Sequence, residues 1–165
     1  MVGKVGETRS HYRVDKKWEE ERNKAIIESG VFTYPVIEVD LKTQRRGIDI
    51  YIMTPSGKVS VEMKTVRYPS DIGGITLETH SNLERSGNPD GIGDGWISYS
   101  EADWLAWCFL DKMYLWNMQE LRSWFCSQDV TRWPAYDKDN IYYTTRSRHV
   151  LFEDIPLWHD ERDIP

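Results

Sequence analysis

The stretch Ile48-Asp49-Ile50-Tyr51-Ile52-Met53-Thr54-Pro55-Ser56-Gly57-Lys58-Val59-Ser60-Val61-Glu62-Met63-Lys64-Thr65-Val66 decides how this chain folds. β-Branched and aromatic residues flank Pro55-Ser56-Gly57-Lys58, where proline and glycine suit a tight turn. The pattern predicts a hairpin of two strands, Ile48 to Met53 and Val59 to Val66. Alternation in the second strand sets Val59, Val61 and Met63 on one face and Ser60, Glu62 and Lys64 on the other. Asp49 is a charge in an otherwise apolar run, where an unpaired carboxylate is costly. The hairpin therefore gathers two carboxylates and a lysine.

Working outward, Asp15 to Ser29 reads as a helix with Asp15 as N-cap and Gly30 as stop signal. Trp18, the stem of Arg22, Ala25, Ile26 and Ser29 share one face at helical spacing. Phe32 to Leu41, broken by Pro35, reads as an edge strand. Ile75 to His80 predicts a fourth strand, with Thr76, Glu78 and His80 alternating against Ile75, Leu77 and Thr79. Its polar face, Glu78 included, is expected in solvent. Residues 82–95 are glycine-rich without hydrophobic period, which suits an active-site flap better than a calcium loop, because the EF-hand spacing and terminal Glu are missing.

Trp104 to Leu110 and Met113 to Trp116 predict two further strands joined at Asp111-Lys112. Their aromatic residues read as core rather than as a stacking platform for bases. Asn117 and Glu120 form a capping-box-like start to a helix that turns Leu121, Trp124 and Phe125 inward. Short strands are expected at Ile141 to Thr145 and His149 to Phe152. The class is α/β: a polar segment over 1–14, a core over 15–126, and an extension over 127–165 packed on that core.

Eight Trp, nine Tyr and four Phe in 165 residues can build a core without disulfides. Cys108 and Cys126 are expected as small buried or semi-buried side chains. With His11, His80, His149 and His159 scattered, no zinc-ligand spacing appears. No apolar run is long enough to span a bilayer and the N-terminus lacks a signal-peptide stretch, so a cytoplasmic protein with no membrane partner is expected.

The net charge of −6 argues against a strong nucleic-acid binder. Residues 1–75, however, hold 13 Lys/Arg against 11 Asp/Glu, and residues 76–165 hold 8 against 16. Lys16, Lys17, Arg45, Arg46, Lys64 and Arg67 lie in the first part. Gln44, Arg45, Arg46 and Arg67 are the residues expected to touch nucleic acid, and the acidic second part would suit a protein partner.

Mg²⁺ and Mn²⁺ take hard oxygen ligands, often one or two carboxylates with waters and phosphate oxygens. Asp49 and Glu62 are the candidate ligands, and Lys64 can orient a water or stabilise charge on a reacting phosphate. A helix carboxylate, Glu19, Glu20 or Glu21, can complete the set. The competing explanation is a solvated strand pair Glu62/Lys64, worth tenths of a kcal/mol. The apolar setting of Asp49 favours a site, and with it metal-dependent cleavage of phosphodiesters.

This pattern resembles the PD-(D/E)XK nuclease superfamily, with Asp49 as the motif's aspartate and Glu62-Met63-Lys64 as its E-x-K. Ile48 stands where that motif has proline. Gln44-Arg45-Arg46-Gly47-Ile48-Asp49 and Gly95-Trp96-Ile97-Ser98-Tyr99-Ser100-Glu101-Ala102-Asp103-Trp104 look like small nuclease-like proteins of phages and prophages. The likeness spans roughly residues 15–126. It implies a restriction-endonuclease-like core with a central mixed sheet flanked by helices, and Mg²⁺- or Mn²⁺-dependent hydrolysis of DNA in phage or mobile-element processing. It also implies a first-helix acid, for which Glu19 fits best by its spacing to Ile26 and Gly30; it leaves the oligomeric state open, a homodimer being the form in which many such nucleases cut two strands. The alternative is an inactive module of the same fold that binds nucleic acid or a protein.

Overall fold

The computed structural model describes residues 4–140 and 142–165, with side chains from residue 15 onward. Helix α1 spans Lys4–Glu28. It begins well before Asp15, which is therefore no N-cap; residues 4–14 contain no proline to interrupt helical hydrogen bonding. Gly30, at φ +80°, ends the turn that follows, in a conformation open to glycine. The buried face of α1 runs through Ile26, with Arg22 and Asn23 one turn back, while Ala25 points to solvent.

Strands β1 (Val36–Glu38), β2 (Ile50–Thr54) and β3 (Gly57–Thr65) pair antiparallel in succession, and β1 is the edge strand that Pro35 predicts. A short helix, α2 (Leu41–Gln44), separates β1 from β2 and is capped by Asp40, whose Oδ1 accepts the Thr43 N–H at 2.8 Å. No apolar period announces it. The chain then leaves this sheet for β4 (Gly74–His80) and returns through α3 (Trp96–Tyr99) to β5 (Trp104–Cys108). β5 lies parallel to β3, with Glu62 opposite Leu105 and Lys64 opposite Trp107.

β6 (Lys112–Asn117) pairs antiparallel with β5 and leads into α4 (Met118–Cys126), where Asn117 Oδ1 accepts the Glu120 N–H at 3.0 Å as the capping pattern predicts. β7 (Ala135–Asp139) and β8 (Thr144–Leu151) follow, then β9 (Asp160–Asp163). The strand expected from Ile141 starts outside the described residues, and the one expected at His149 to Phe152 is the end of β8.

The result is an α/β fold with two sheets. One is mixed and six-stranded, in the order β1-β2-β3-β5-β6-β9; the other is antiparallel, in the order β4-β8-β7. Residues 127–165 thus supply strands to both. Between the sheets lies the aromatic core: Ile75, Leu77 and Val150 from the small sheet, Leu105, Trp107, Phe109 and Trp116 from the large one, and Leu121 and Phe125 from α4. The opposite face of the large sheet packs Val61, Met63, Ala106 and Leu115 beneath Ile26 and Phe32. Burial on both faces removes apolar area from water at about 25 cal/mol per Å². Cys108 is buried here, but Cys126, beside the fully buried Phe125 at the end of α4, is exposed.

No described helix is long and apolar enough to cross a membrane.

Candidate functional site

Alternation along β3 turns Val61 and Met63 towards α1 and leaves Glu62 and Lys64 on the side of the second sheet. Glu62 is only 2% exposed. Its Oε1 lies 2.6 Å from Lys64 Nζ, while its Oε2 is buried without a hydrogen-bond partner. A buried carboxylate oxygen with no donor is costly, and such positions call for an explanation.

Asp49 sits just before β2 rather than within it, yet it is fastened to β3 twice. Its N–H donates to Val61 O at 2.9 Å, and its Oδ2 accepts the Met63 N–H at 2.7 Å. Burial pushes the Asp49 carboxyl above the usual carboxylate range, against the Met63 N–H and Lys64, which favour the charged form; Glu62 adds to the rise. Burial alone would lower the Lys64 ammonium. The Glu62 charge and hydrogen bond, with Asp49 behind them, reverse that and hold Lys64 protonated. Nζ also lies 5.0 Å from the centroid of the Trp96 ring.

Of the three helix carboxylates, Glu19 is the one in electrostatic reach of Lys64 and Asp49. Although Glu19 is an exposed residue, partial desolvation raises its pKa, Lys64 opposes the rise and Asp49 reinforces it. Glu20 and Glu21 instead face Lys16 at 3.8 Å and Lys17 at 3.6 Å in solvent-exposed pairs one turn apart.

Among the described residues no group of three or more His, Cys, Asp or Glu side chains is placed to hold a metal. The donor set near Lys64 is thus two carboxylates at most, with Glu19 as an outer charge. That set fits Mg²⁺ or Mn²⁺, which retain waters and take substrate phosphates beside one or two carboxylates. The unpartnered Glu62 Oε2 is the oxygen that such an ion would satisfy.

The expected basic contacts are differently employed. Arg46 Nε donates to Glu101 Oε2 at 2.8 Å, and Arg67 pairs with Asp15 at 3.1 Å while lying 4.6 Å from the Trp18 ring centroid. Gln44 and Arg45 are exposed at the end of α2.

The two motif segments meet at this point. Ser100 Oγ donates to Gly47 O at 3.0 Å, and the Glu101 N–H donates to Arg46 O at 2.8 Å. A Cβ on Gly47, whose φ is +74°, would stand 2.9 Å from Ser100 Cα. Asp103 repeats the joint with β3, accepting from Ser60 N at 2.8 Å and Ser60 Oγ at 2.7 Å.

α3 therefore rests against the segment that carries Asp49, with the Trp96 ring beside Lys64 and Tyr99 one turn further on. Burial raises the Tyr99 phenol; Lys64 opposes that, while Glu62, Glu78 and Asp49 add to it. Glu78 is not a solvated strand residue: its Oε1 accepts Ser81 Oγ at 2.7 Å and the Trp96 N–H at 3.3 Å, because β4 lies under the start of α3. Nor is the end of the glycine-rich loop a free flap, since the Gly93 and Gly95 N–H groups both donate to Thr79 O. Trp96, Tyr99 and Glu78 have no local chemical signature; only the paired motif segments point towards them.

Compared with known protein families, curated proteins and solved structures, the chain matches none.

Proposed function

We propose that this protein is a metal-dependent nuclease that hydrolyses DNA phosphodiester bonds, with a restriction-endonuclease-like core of the PD-(D/E)XK type. The observation that carries this reading is the buried, unpartnered Glu62 Oε2 on the strand face beside Lys64, with Asp49 fastened to the same strand. Asp49 and Glu62 would hold Mg²⁺ or Mn²⁺, which would supply Lewis-acid charge for hydrolysis of the scissile phosphate.

The chain's own groups do the rest. The Met63 N–H fixes Asp49, so one oxygen is engaged and the other is presented. Lys64, kept protonated by Glu62, orients the attacking water and stabilises negative charge growing on the phosphate. Glu19 adds negative potential from α1 and draws the cation towards the strands. Trp96 and α3 limit solvent at the Lys64 side.

Isothermal titration calorimetry with Mn²⁺, paired with cleavage of plasmid and single-stranded DNA, tests the proposal. Wild type binds Mn²⁺ and cuts; Asp49→Asn loses both, and Lys64→Ala binds the metal without cutting. Cleavage retained by purified Asp49→Asn would sink it. The pairing of Arg46 and Arg67 with carboxylates favours a second reading, an inactive module docked on a protein partner; it predicts no heat with Mn²⁺ and no cleavage by wild type.

A further inference from the structure

Among the described residues, most cations around Asp49, Glu62 and Lys64 already face a carboxylate. A double helix presents two closely spaced rows of phosphates, and its binding depends on Lys and Arg free to replace counterions. Here Arg46 is paired with Glu101 and Arg67 with Asp15, Lys16 and Lys17 face Glu20 and Glu21 in weak surface pairs, and Arg45 is exposed at the end of α2. Lys64 is held by Glu62.

Beside these groups α3 presents an exposed aromatic ring. Tyr99 is 51% exposed, whereas Trp96, one turn earlier on α3, is buried against Lys64. Ser100 and Glu101, the next two residues, are hydrogen-bonded to Gly47 and Arg46. The Tyr99 backbone is therefore fixed to the segment leading into Asp49, and its ring feels the charges of Lys64, Glu62 and Asp49. A half-exposed tyrosine on a clamped backbone presents a flat apolar face at little entropic cost. Unpaired bases stack on such faces without regard to sequence, and paired bases cannot reach them.

We infer that the substrate is single-stranded DNA, or an unpaired stretch of it, positioned by stacking of a base on Tyr99. This rests on the nuclease reading of Asp49, Glu62 and Lys64. Tyr99 acts as a positioning and specificity residue and takes no part in bond cleavage.

The experiment compares the full-length wild type with Tyr99→Ala, Tyr99→Phe and the Lys64→Ala blank. Each is given a labelled single-stranded oligonucleotide and the blunt duplex of the same sequence. Binding is read by fluorescence anisotropy in EDTA, and cleavage with Mn²⁺. Wild type is expected to prefer the single strand in both assays. Tyr99→Ala should weaken single-strand binding and raise its KM by roughly tenfold, more than it affects duplex, and Tyr99→Phe should restore both. Far-UV circular dichroism checks that the variants fold.

Cleavage by wild type with no strand preference, or with equal losses on both substrates in Tyr99→Ala, overturns the inference and leaves the nuclease reading intact. Single-strand binding that depends on the Tyr99 ring but leads to no cleavage supports the inference as a binding property and overturns the nuclease reading. Failure of Tyr99→Phe to restore binding also overturns it, since stacking needs the ring and not the hydroxyl.

Discussion

Lys64 Nζ and Glu62 Oε1 stand 2.6 Å apart on one face of β3, with side-chain exposures of 29% and 3%. The pair is thus unequal: the lysine side chain is partly exposed and the carboxylate is not. Removing the cation strands a buried anion, whereas removing the anion leaves a lysine that can turn outward.

Lys64→Ala is accordingly expected to destabilise the metal-free protein by about 1–3 kcal/mol, below the range for fully buried pairs because Lys64 is partly solvated. Glu62→Gln should cost less. Mn²⁺ should recover much of the loss in Lys64→Ala, since the ion replaces the missing positive charge. Urea denaturation with and without Mn²⁺ measures all three; a larger loss for Glu62→Gln would contradict the asymmetry.

Burial raises the Asp49 and Glu19 carboxyls, so the folded chain keeps protons that the unfolded chain has already released. Stability contributed by these groups therefore falls as pH rises from the ordinary carboxylate range through their raised values, and is level above. Metal affinity moves oppositely, increasing over the same window as Asp49 ionises. Asp49→Asn should remove its share of the stability slope, checked by urea midpoints at stepped pH in chelator. An unchanged slope in the variant would contradict the origin assigned here.

Gly47 has φ +74° and no room for a side chain against Ser100. Gly47→Ala should cost at least about 1 kcal/mol from backbone strain alone, with a further penalty for parting α3 from the strand region. Because Asp49 lies two residues on, Mn²⁺ affinity should fall with stability. Ser100→Ala, which loses one hydrogen bond to Gly47 O, should cost about 1 kcal/mol and leave Mn²⁺ binding nearly unaltered. Thermal melts and calorimetry of the two variants separate backbone fit from bond loss.

Glu101 holds Arg46 at a half-exposed surface position. Glu101→Gln should release that guanidinium with little effect on stability, as surface pairs contribute about 0–1 kcal/mol. DNA affinity at low salt should rise, and the salt dependence should steepen by about one counterion. Anisotropy titrations across a salt series give the slope; no change would show that Arg46 does not face the nucleic acid.

How much of this was legible in the sequence depended on the range of the interaction. The hairpin from Asp49 to Lys64 was readable because alternation and the Pro55-Gly57 turn are local, and the Asn117 cap for the same reason. The separate sheet of β4 and β8 was not, since Glu78 and Ser147 carry no mark of pairing across so long an interval. β9 was missed because Asp160-Glu161-Arg162-Asp163 looks like polar loop, and only its place beside β6 makes it a strand. At the site, spacing found the carboxylates and lysine. The ion pairs that occupy Arg46 and Arg67 arise from distant acids, and composition around the motif could not foresee them.

The two sheets are threaded through one another along the chain. β4 departs between β3 and β5, and β8 returns to it before β9 rejoins the first sheet. Neither sheet is a contiguous piece, so neither can melt or form while the other stands aside, and unfolding should be a single cooperative event. The span that bears the motifs is shorter than the span that folds. A fragment ending at Cys126 would keep every residue assigned to the site, yet leave β4 without β8 and β6 without β9.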